Sequence, residues 1–472
     1  MVMQAVEPCS LSIESLRLAY HSGQLTLMVV VDGIFRQISR RQGDGIWTFV
    51  LPEAEVLARA AWLEQRTATE RDALPLWGIP FSVKDCIDIA GLPTSAGCPD
   101  FAYGAQHTNL VIQKLLDAGA ILIGKTNLDQ FATGLVGVRT GYDIPHNAYV
   151  ADFIAGGSSS GSAVSVAAGL VSFSIGTDTG GSGRVPAGLN NIVGLKPTRG
   201  LLSTQHMVDA CRTLDCVSIF ALTPEDAWAV FQVAKGFDPG DPFARPEVTR
   251  SHRLETYEAG QPFRFGIPQK EHLEFFGNGD VERAFAEAVA LLESLGGTGQ
   301  EISYAPFLAA NDLLFKGPWV AERYASVGKF IEANPESVLP TTREIILRAK
   351  QISAAEVFEG LYALAEIKRQ VEPLWDDIDV LLVPTTGTAY RIAEVKAEPM
   401  ALNTNLGYYT NFVNLLDLAA IALPNGFQSS GVPTGVTLVG QSFTEASLVK
   451  LGAMFHQHRV EMLGAAPLPV AL

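Results

Sequence analysis

Between residues 155 and 200 the chain runs largely on small side chains, and this stretch limits the folds open to it more than any other. Gly156, Gly157, Ser158, Ser159, Ser160 and Gly161 form one loop, and GTDTGGSGRVP over residues 176–186 forms a second. Residues this small let backbone pass close to backbone, and glycine supplies turns that other residues resist. Short apolar runs alternate with helical patterns around these loops. IPFSV at 79–83 reads as a strand, TNLVIQKLLDAG at 108–119 as a helix and AILIG at 120–124 as a buried strand. Further helices are expected over Glu53–Gln65, Ser162–Leu170, Glu282–Leu295, Ala354–Leu374 and Glu445–His458. Strands are expected at Val171–Ile175, Ile192–Leu195, DVLLVP (379–384) and GVTLVG (435–440). Alternation of this kind predicts an α/β fold in which strands from both ends of the chain join one sheet.

Composition narrows the function. A formal net charge of −16 disfavours nucleic acid and anionic lipid, so neither a nucleic acid nor a membrane is an expected partner and a small molecule is. If that molecule is itself an anion, individual arginines must hold it against the field of the whole protein. The five cysteines are odd in number and show no C-x-x-C spacing, so no disulfide framework and no metal site are expected. With no signal-peptide pattern and no run of about 18 apolar residues, the expected location is the cytoplasm.

Two short motifs are deceptive. GAILIGKT at 119–126 fits the phosphate-loop pattern, but its variable positions are a strand rather than a turn able to cradle phosphate. Lys125 is therefore expected to be a strand-end surface residue. GSSSG at 157–161 fits the nucleophile elbow with Ser159 at its centre, but no apolar strand precedes it. His206, His456 and His458 are expected to be surface or capping residues.

A third arrangement carries more chemistry. GIPFSVKD at 78–85 ends an apolar run on Lys84, where desolvation would push an ammonium pKa down and produce a base. A serine hydroxyl is a weak nucleophile until a base removes its proton, and both small-residue loops offer serines.

On GIPFSVKD, GGSSSG and TGGSGR the chain resembles the amidase signature family. The resemblance implies a mixed central sheet covered by helices on both faces. Residues 71–472 would form the amidase signature domain, with 1–70 as a helical N-terminal segment and no further C-terminal domain. It also implies a serine nucleophile, a second serine after a cis peptide bond and a neutral lysine, which fall on Ser182, Ser158 and Lys84. The oxyanion hole falls on N–H groups at Thr179, Gly180 and Gly181. No cofactor is implied, and a homodimer is expected.

Within the family the likeness extends over nearly the whole chain to the allophanate hydrolases, through CRTLDCVSIFALT, GPWVAERY, PTTGTAY and LGYYTNFVNLLDLAA. It implies release of ammonia from allophanate, a small anionic amide, with Arg323 gripping the carboxylate and Gly134 in the substrate loop. Two other readings are an amidase for another small amide and an ammonia-transferring amidotransferase subunit; a binding protein without catalysis is disfavoured by the intact Lys84, Ser158 and Ser182. The chain departs from the family pattern at Phe315, where a tyrosine is usual. That substitution leaves a substrate carboxylate one hydroxyl donor short. Phe315→Tyr should raise kcat/KM for allophanate by about 10- to 150-fold, the span of one charge-assisted hydrogen bond. Steady-state kinetics of both forms check it, and an unchanged kcat/KM would make the missing hydroxyl irrelevant.

Overall fold

Strands too uniformly apolar to face water on either side need cover on both faces, and the sheet of this protein shows that arrangement. The computed structural model describes residues 10–248, 253–258 and 260–465, apart from the side chains of Arg253 and Phe315. Eleven strands form one mixed sheet. In chain order they are β1 (Trp47–Val50), β2 (Pro80–Lys84), β3 (Ile121–Thr126), β4 (Phe173–Asp178), β5 (Val193–Lys196), β6 (Cys216–Ala221), β7 (Phe263–Pro268), β8 (Gly297–Ile302), β9 (Val380–Pro384), β10 (Ala419–Phe427) and β11 (Pro433–Gly440). Their spatial order is β1-β3-β2-β4-β6-β5-β10-β11-β9-β7-β8. Strands from the two ends of the chain thus share one sheet, as the pattern predicts.

Alternation along the later strands shows how both faces are covered. Val380, Leu382, Ile421 and Leu438 join a large apolar core with Leu448, Leu451 and Phe455 of helix Glu445–Arg459. Their neighbours Leu381, Val383, Ala420 and Val439 join a second core with Phe307 and Leu314 of helix Ala305–Phe315 and Leu364 of helix Ala354–Val371. Burying each such side chain stabilises the fold by about 1.5–3 kcal/mol. Burial of alternate residues by two helical layers therefore fixes register, since a one-residue slip would exchange the faces.

The sequence-predicted helical lead-in over residues 1–70 also contains a strand, because β1 pairs antiparallel with β3 at the sheet edge. Among the described residues no helix is long and apolar enough to cross a membrane. Four of the cysteines, Cys86, Cys98, Cys211 and Cys216, are free and buried; Cys9 lies outside the described residues.

Three parallel strands place the lysine of the GIPFSVKD motif. β2 lies between β3 and β4, parallel to both, with Lys84 opposite Thr126 and Val83 opposite Ile175. Phe81 and Phe173 stack across this seam at 5.1 Å. The C-terminal ends of all three strands open the same way, the side of a parallel sheet where ligands bind. Residues 119–126 form β3 and its entry rather than a phosphate-binding turn.

Lys125 differs from its sequence expectation. It is fully buried, because its ammonium pairs with Asp85 Oδ1 at 2.8 Å and donates to Thr94 Oγ1 and the Pro93 carbonyl. Removing one partner of a buried pair leaves the other charge uncompensated, which costs about 3–5 kcal/mol. Lys125→Met should lower the free energy of unfolding by about that amount in urea titrations. A loss below about 1 kcal/mol would mean that water reaches Asp85 and replaces the ammonium.

Candidate active site

Lys84 is the last residue of β2 and is fully buried. Its Nζ lies 2.8 Å from Ser158 Oγ and 2.7 Å from Thr177 Oγ1 on the adjoining strand. Burial pushes the amine below the ordinary lysine range, and the offsetting charges, Cys86 first and then Asp129, Asp215 and Asp178, do not restore it. With the amine neutral, the same 2.8 Å contact is made by Ser158 O–H donating to the Nζ lone pair. Lys84 and Ser158 are thus brought together, as expected from the sequence. Thr177 was not anticipated, although it belongs to the GTDTGGSGR motif.

Ser158 is held from both sides. The Gly157–Ser158 peptide is cis. The Gly157 N–H donates to the Leu135 carbonyl at 2.8 Å, and the Ser158 carbonyl accepts from the Asp129 N–H at 3.1 Å. Asp129 turns the chain that makes these contacts, its carboxylate accepting from the Val136, Gly137 and Arg139 N–H groups. A Cβ on Gly157 would collide with Asp129 Oδ2, so no larger residue fits there.

Ser182 lies in the turn after β4, braced by the carboxylate of Asp178. The Gly181 and Gly183 N–H groups on either side of it donate to Asp178 at 2.9 and 3.0 Å. Arg184 closes the turn with two bonds to the same carboxylate, at 2.9 and 3.0 Å, both side chains being fully buried. Burial alone would raise the Asp178 carboxyl, but Arg184 beside it holds it below the ordinary range. Gly181 has φ +134°, and a Cβ there would collide with Thr410 Oγ1. Glycine is required on both counts.

Of the expected oxyanion donors Thr179, Gly180 and Gly181, one N–H is already engaged. The Gly181 N–H is occupied by Asp178, so it is not free for a substrate oxygen. The N–H groups of Gly180 and of Ser182 itself have no acceptor among the described residues. Thr179 is tethered through its hydroxyl, which donates to Asp215 Oδ1 at 2.5 Å. Asp178, Arg184, Asp129 and Asp215 escaped sequence reasoning. A lone arginine in a turn of glycines was the available signal, since a buried guanidinium demands a carboxylate.

Arg323, on helix Val320–Ala333, is buried and donates to Thr133 Oγ1 at 2.9 Å and the Ala132 carbonyl at 3.3 Å. It therefore adjoins Gly134, which is wedged between Asp129 and Arg139. Phe315 ends helix Ala305–Phe315, and its side chain lies outside the described ones. Ser159 has a structural role, its hydroxyl donating to the Thr177 carbonyl at 3.0 Å. His206 stacks on His107, and His458 bonds the Met454 carbonyl. His456, expected to be a surface or capping residue, is buried, and burial pushes its imidazole down to about 4. Among the described residues no histidine bonds Ser159, which removes the elbow reading.

If neutral Lys84 is the base, kcat/KM must rise with pH as the amine loses its proton. Because burial depresses this group, the rise should fall below the ordinary lysine value of about 10.4. A pH–rate profile of amide hydrolysis reads it directly. A limb centred at or above that ordinary value would show a solvated amine.

Comparison with known proteins shows the family to which the fold belongs. The Amidase family profile matches residues 34–449. Urea amidolyase of Saccharomyces cerevisiae is 42% identical over 418 residues, covering 88% of this chain and 22% of its own length. The chain thus spans about a fifth of that relative. A glutamyl-tRNA(Gln) amidotransferase subunit from Chloroflexus aggregans is 31% identical, with 95% of this chain and 96% of that protein covered. The solved allophanate hydrolase of Kluyveromyces lactis superposes with a TM-score of 0.89 at 38% identity, covering 98% of this chain and 75% of that one. A family profile spanning most of the chain and a matching fold lead to one conclusion: this chain belongs to the amidase family.

Proposed function

We propose that this amidase-family hydrolase cleaves allophanate, releasing ammonia from the ureido end through an acyl-enzyme on Ser182. The observation that carries the reading is the fully buried Lys84 amine 2.8 Å from Ser158 Oγ, at the strand ends beside the Ser182 turn. Ser182 Oγ attacks the carbonyl carbon as its proton passes to Ser158 and the Ser158 proton passes to Lys84 Nζ. The oxyanion is received by the Gly180 and Ser182 N–H groups, whose preorganised dipoles act most strongly where water is excluded. Collapse breaks the C–N bond, and the proton returns from Lys84 through Ser158 to the departing nitrogen as ammonia. Water then attacks the acyl carbon as its proton passes through Ser158 to Lys84 Nζ, and that proton returns through Ser158 to Ser182 Oγ as the ester C–O bond breaks, leaving a carboxylated carbamate as product and Lys84 neutral again.

Allophanate is favoured over a neutral amide for two reasons. Relatives at 38–42% identity carry the names allophanate hydrolase and urea amidolyase. Arg323 also offers a buried guanidinium next to the Gly134 loop in a chain of net charge −16, so a carboxylate would find a charge-assisted partner there. The similarity to an amidotransferase subunit keeps ammonia transfer as a second reading, one that requires partner subunits.

Ammonia release by the purified chain offered allophanate, malonamide and glutamine separates these readings. Turnover of allophanate alone is expected, with a high KM because Phe315 lacks the hydroxyl; glutamine turnover that needs an added partner would favour transfer. Ser182→Ala should reduce allophanate turnover by several powers of ten while leaving the fold intact. Arg323→Ala should act mainly on KM, raising it about 10- to 100-fold, as loss of a charge-assisted bond to the bound substrate predicts. A Ser182→Ala enzyme keeping more than about a tenth of the wild-type rate would refute the assignment of the nucleophile.

A further inference from the structure

Asn411 is an asparagine whose hydrogen bonds are unaccounted for at a place where that is costly. It stands at the N-cap of helix Phe412–Leu415, a position where asparagine ordinarily turns its side-chain oxygen to the first amides of the helix. Here it makes no such bond. The residue is only 6% exposed, and its Oδ1 has no partner among the described residues. A buried, unpaired amide oxygen needs an explanation, because desolvation without a partner destabilises the fold.

Its surroundings supply one. The side chain lies against the catalytic turn: a Cβ built on Gly180 would be 3.0 Å from Asn411 Oδ1. The preceding residue, Thr410, donates from its hydroxyl to the Gly180 carbonyl at 2.8 Å and gives its own carbonyl to Arg184. The segment is thus fixed to the same turn that carries Ser182. On its other side Asn411 lines a cavity of about 570 Å³, together with Asn311, Lys316, Arg348, Asn403 and Gly407. Gly407 leaves room for it, since a Cβ there would lie 2.5 Å from Asn411 Nδ2. Asn403 ties the cavity wall to the substrate loop by accepting from the Leu135 N–H at 2.8 Å.

We infer that Asn411 is a specificity-determining residue that recognises the primary amide of the substrate, its carboxamide oxygen accepting an N–H from the leaving –NH2 group. This rests on the proposed acyl transfer at Ser182. If the substrate oxygen is received by the Gly180 N–H, the leaving nitrogen is bonded to the same carbon, and a group packed on Gly180 is within reach of it. A terminal ureido or carboxamide group presents two N–H donors at that point, whereas an ester presents none. The site therefore discriminates by leaving an unpaired buried acceptor when the wrong leaving group is bound, the mechanism by which polar sites reject analogues most strongly.

The test compares malonamate with methyl malonate, two carboxylates that yield the same acyl-enzyme and differ only in the departing group. Asn411→Ala should lower kcat/KM for malonamate about 10- to 100-fold and leave that for methyl malonate within about threefold. Because both rates come from one preparation, their ratio is independent of the fraction of folded protein. Should Asn411→Ala fail to fold, Asn411→Val, which keeps bulk without hydrogen-bonding groups, is read in the same way. An equal fall on both substrates would reduce Asn411 to a support for the catalytic turn, and no fall on either would remove it from the substrate path; each overturns the inference. Ser182→Ala, measured beside it, must abolish both hydrolyses. Survival of either rate in that variant would instead overturn the acyl-enzyme reading.

Discussion

An amine kept away from water sets the terms for everything around it. Lys84 ends the middle one of three parallel strands, with Ser158 and Thr177 within hydrogen-bond distance and complete burial around it. In such a place the charged form is disfavoured by desolvation, and the neutral form is a base. The sheet has to provide two hydroxyls and exclude solvent, and it does so by laying the cis-linked Ser158 loop across the strand ends. The apolar layers on both faces serve this end by fixing strand register and with it the amine.

Around the amine, carboxylates act as braces. Asp129, Asp178 and Asp215 are all buried and each accepts at least two bonds from backbone N–H groups or a hydroxyl. Asp178 consumes the amides on either side of Ser182, and this selects which amides remain for chemistry. A turn whose donors are allotted in the folded state needs no reorganisation when charge develops on a substrate oxygen. The glycines follow from the same demand, since a Cβ at residue 157 or 181 would collide with Asp129 or Thr410.

Charge is distributed with a similar logic. A chain of net charge −16 places Arg139 and Arg323 inside, both bonded to the Ala132–Thr133 backbone or hydroxyl beside the Gly134 loop. Each has a buried carboxylate within electrostatic reach, Asp129 for Arg139 and Asp215 for Arg323. Asn411, a neutral group, packs against Gly180 of the turn that carries Ser182.

Much of this was legible in the sequence because it is local. Apolar runs marked β2, β3, β9 and β11 near their observed bounds, and GIPFSVKD placed Lys84 at a strand end. The edge strands were not legible: β1 is half-exposed throughout and β8 is GTGQEI, with no periodic apolar face, so each is a strand only because a neighbour supplies its hydrogen bonds. Lys125 illustrates a deeper limit, since a lysine in a strand carries no mark of whether its partner waits inside or water waits outside. Residue types and the order of small-residue loops and strand ends could be read from the chain alone, and with them the class of chemistry. That Thr177 would meet Lys84, that the Gly181 amide would be taken by Asp178, and that Asn411 would pack on Gly180 from far along the chain emerged only on folding. Those contacts depend on which strands become neighbours, and strand order is set by how the whole chain buries its apolar faces rather than by any local run of residues.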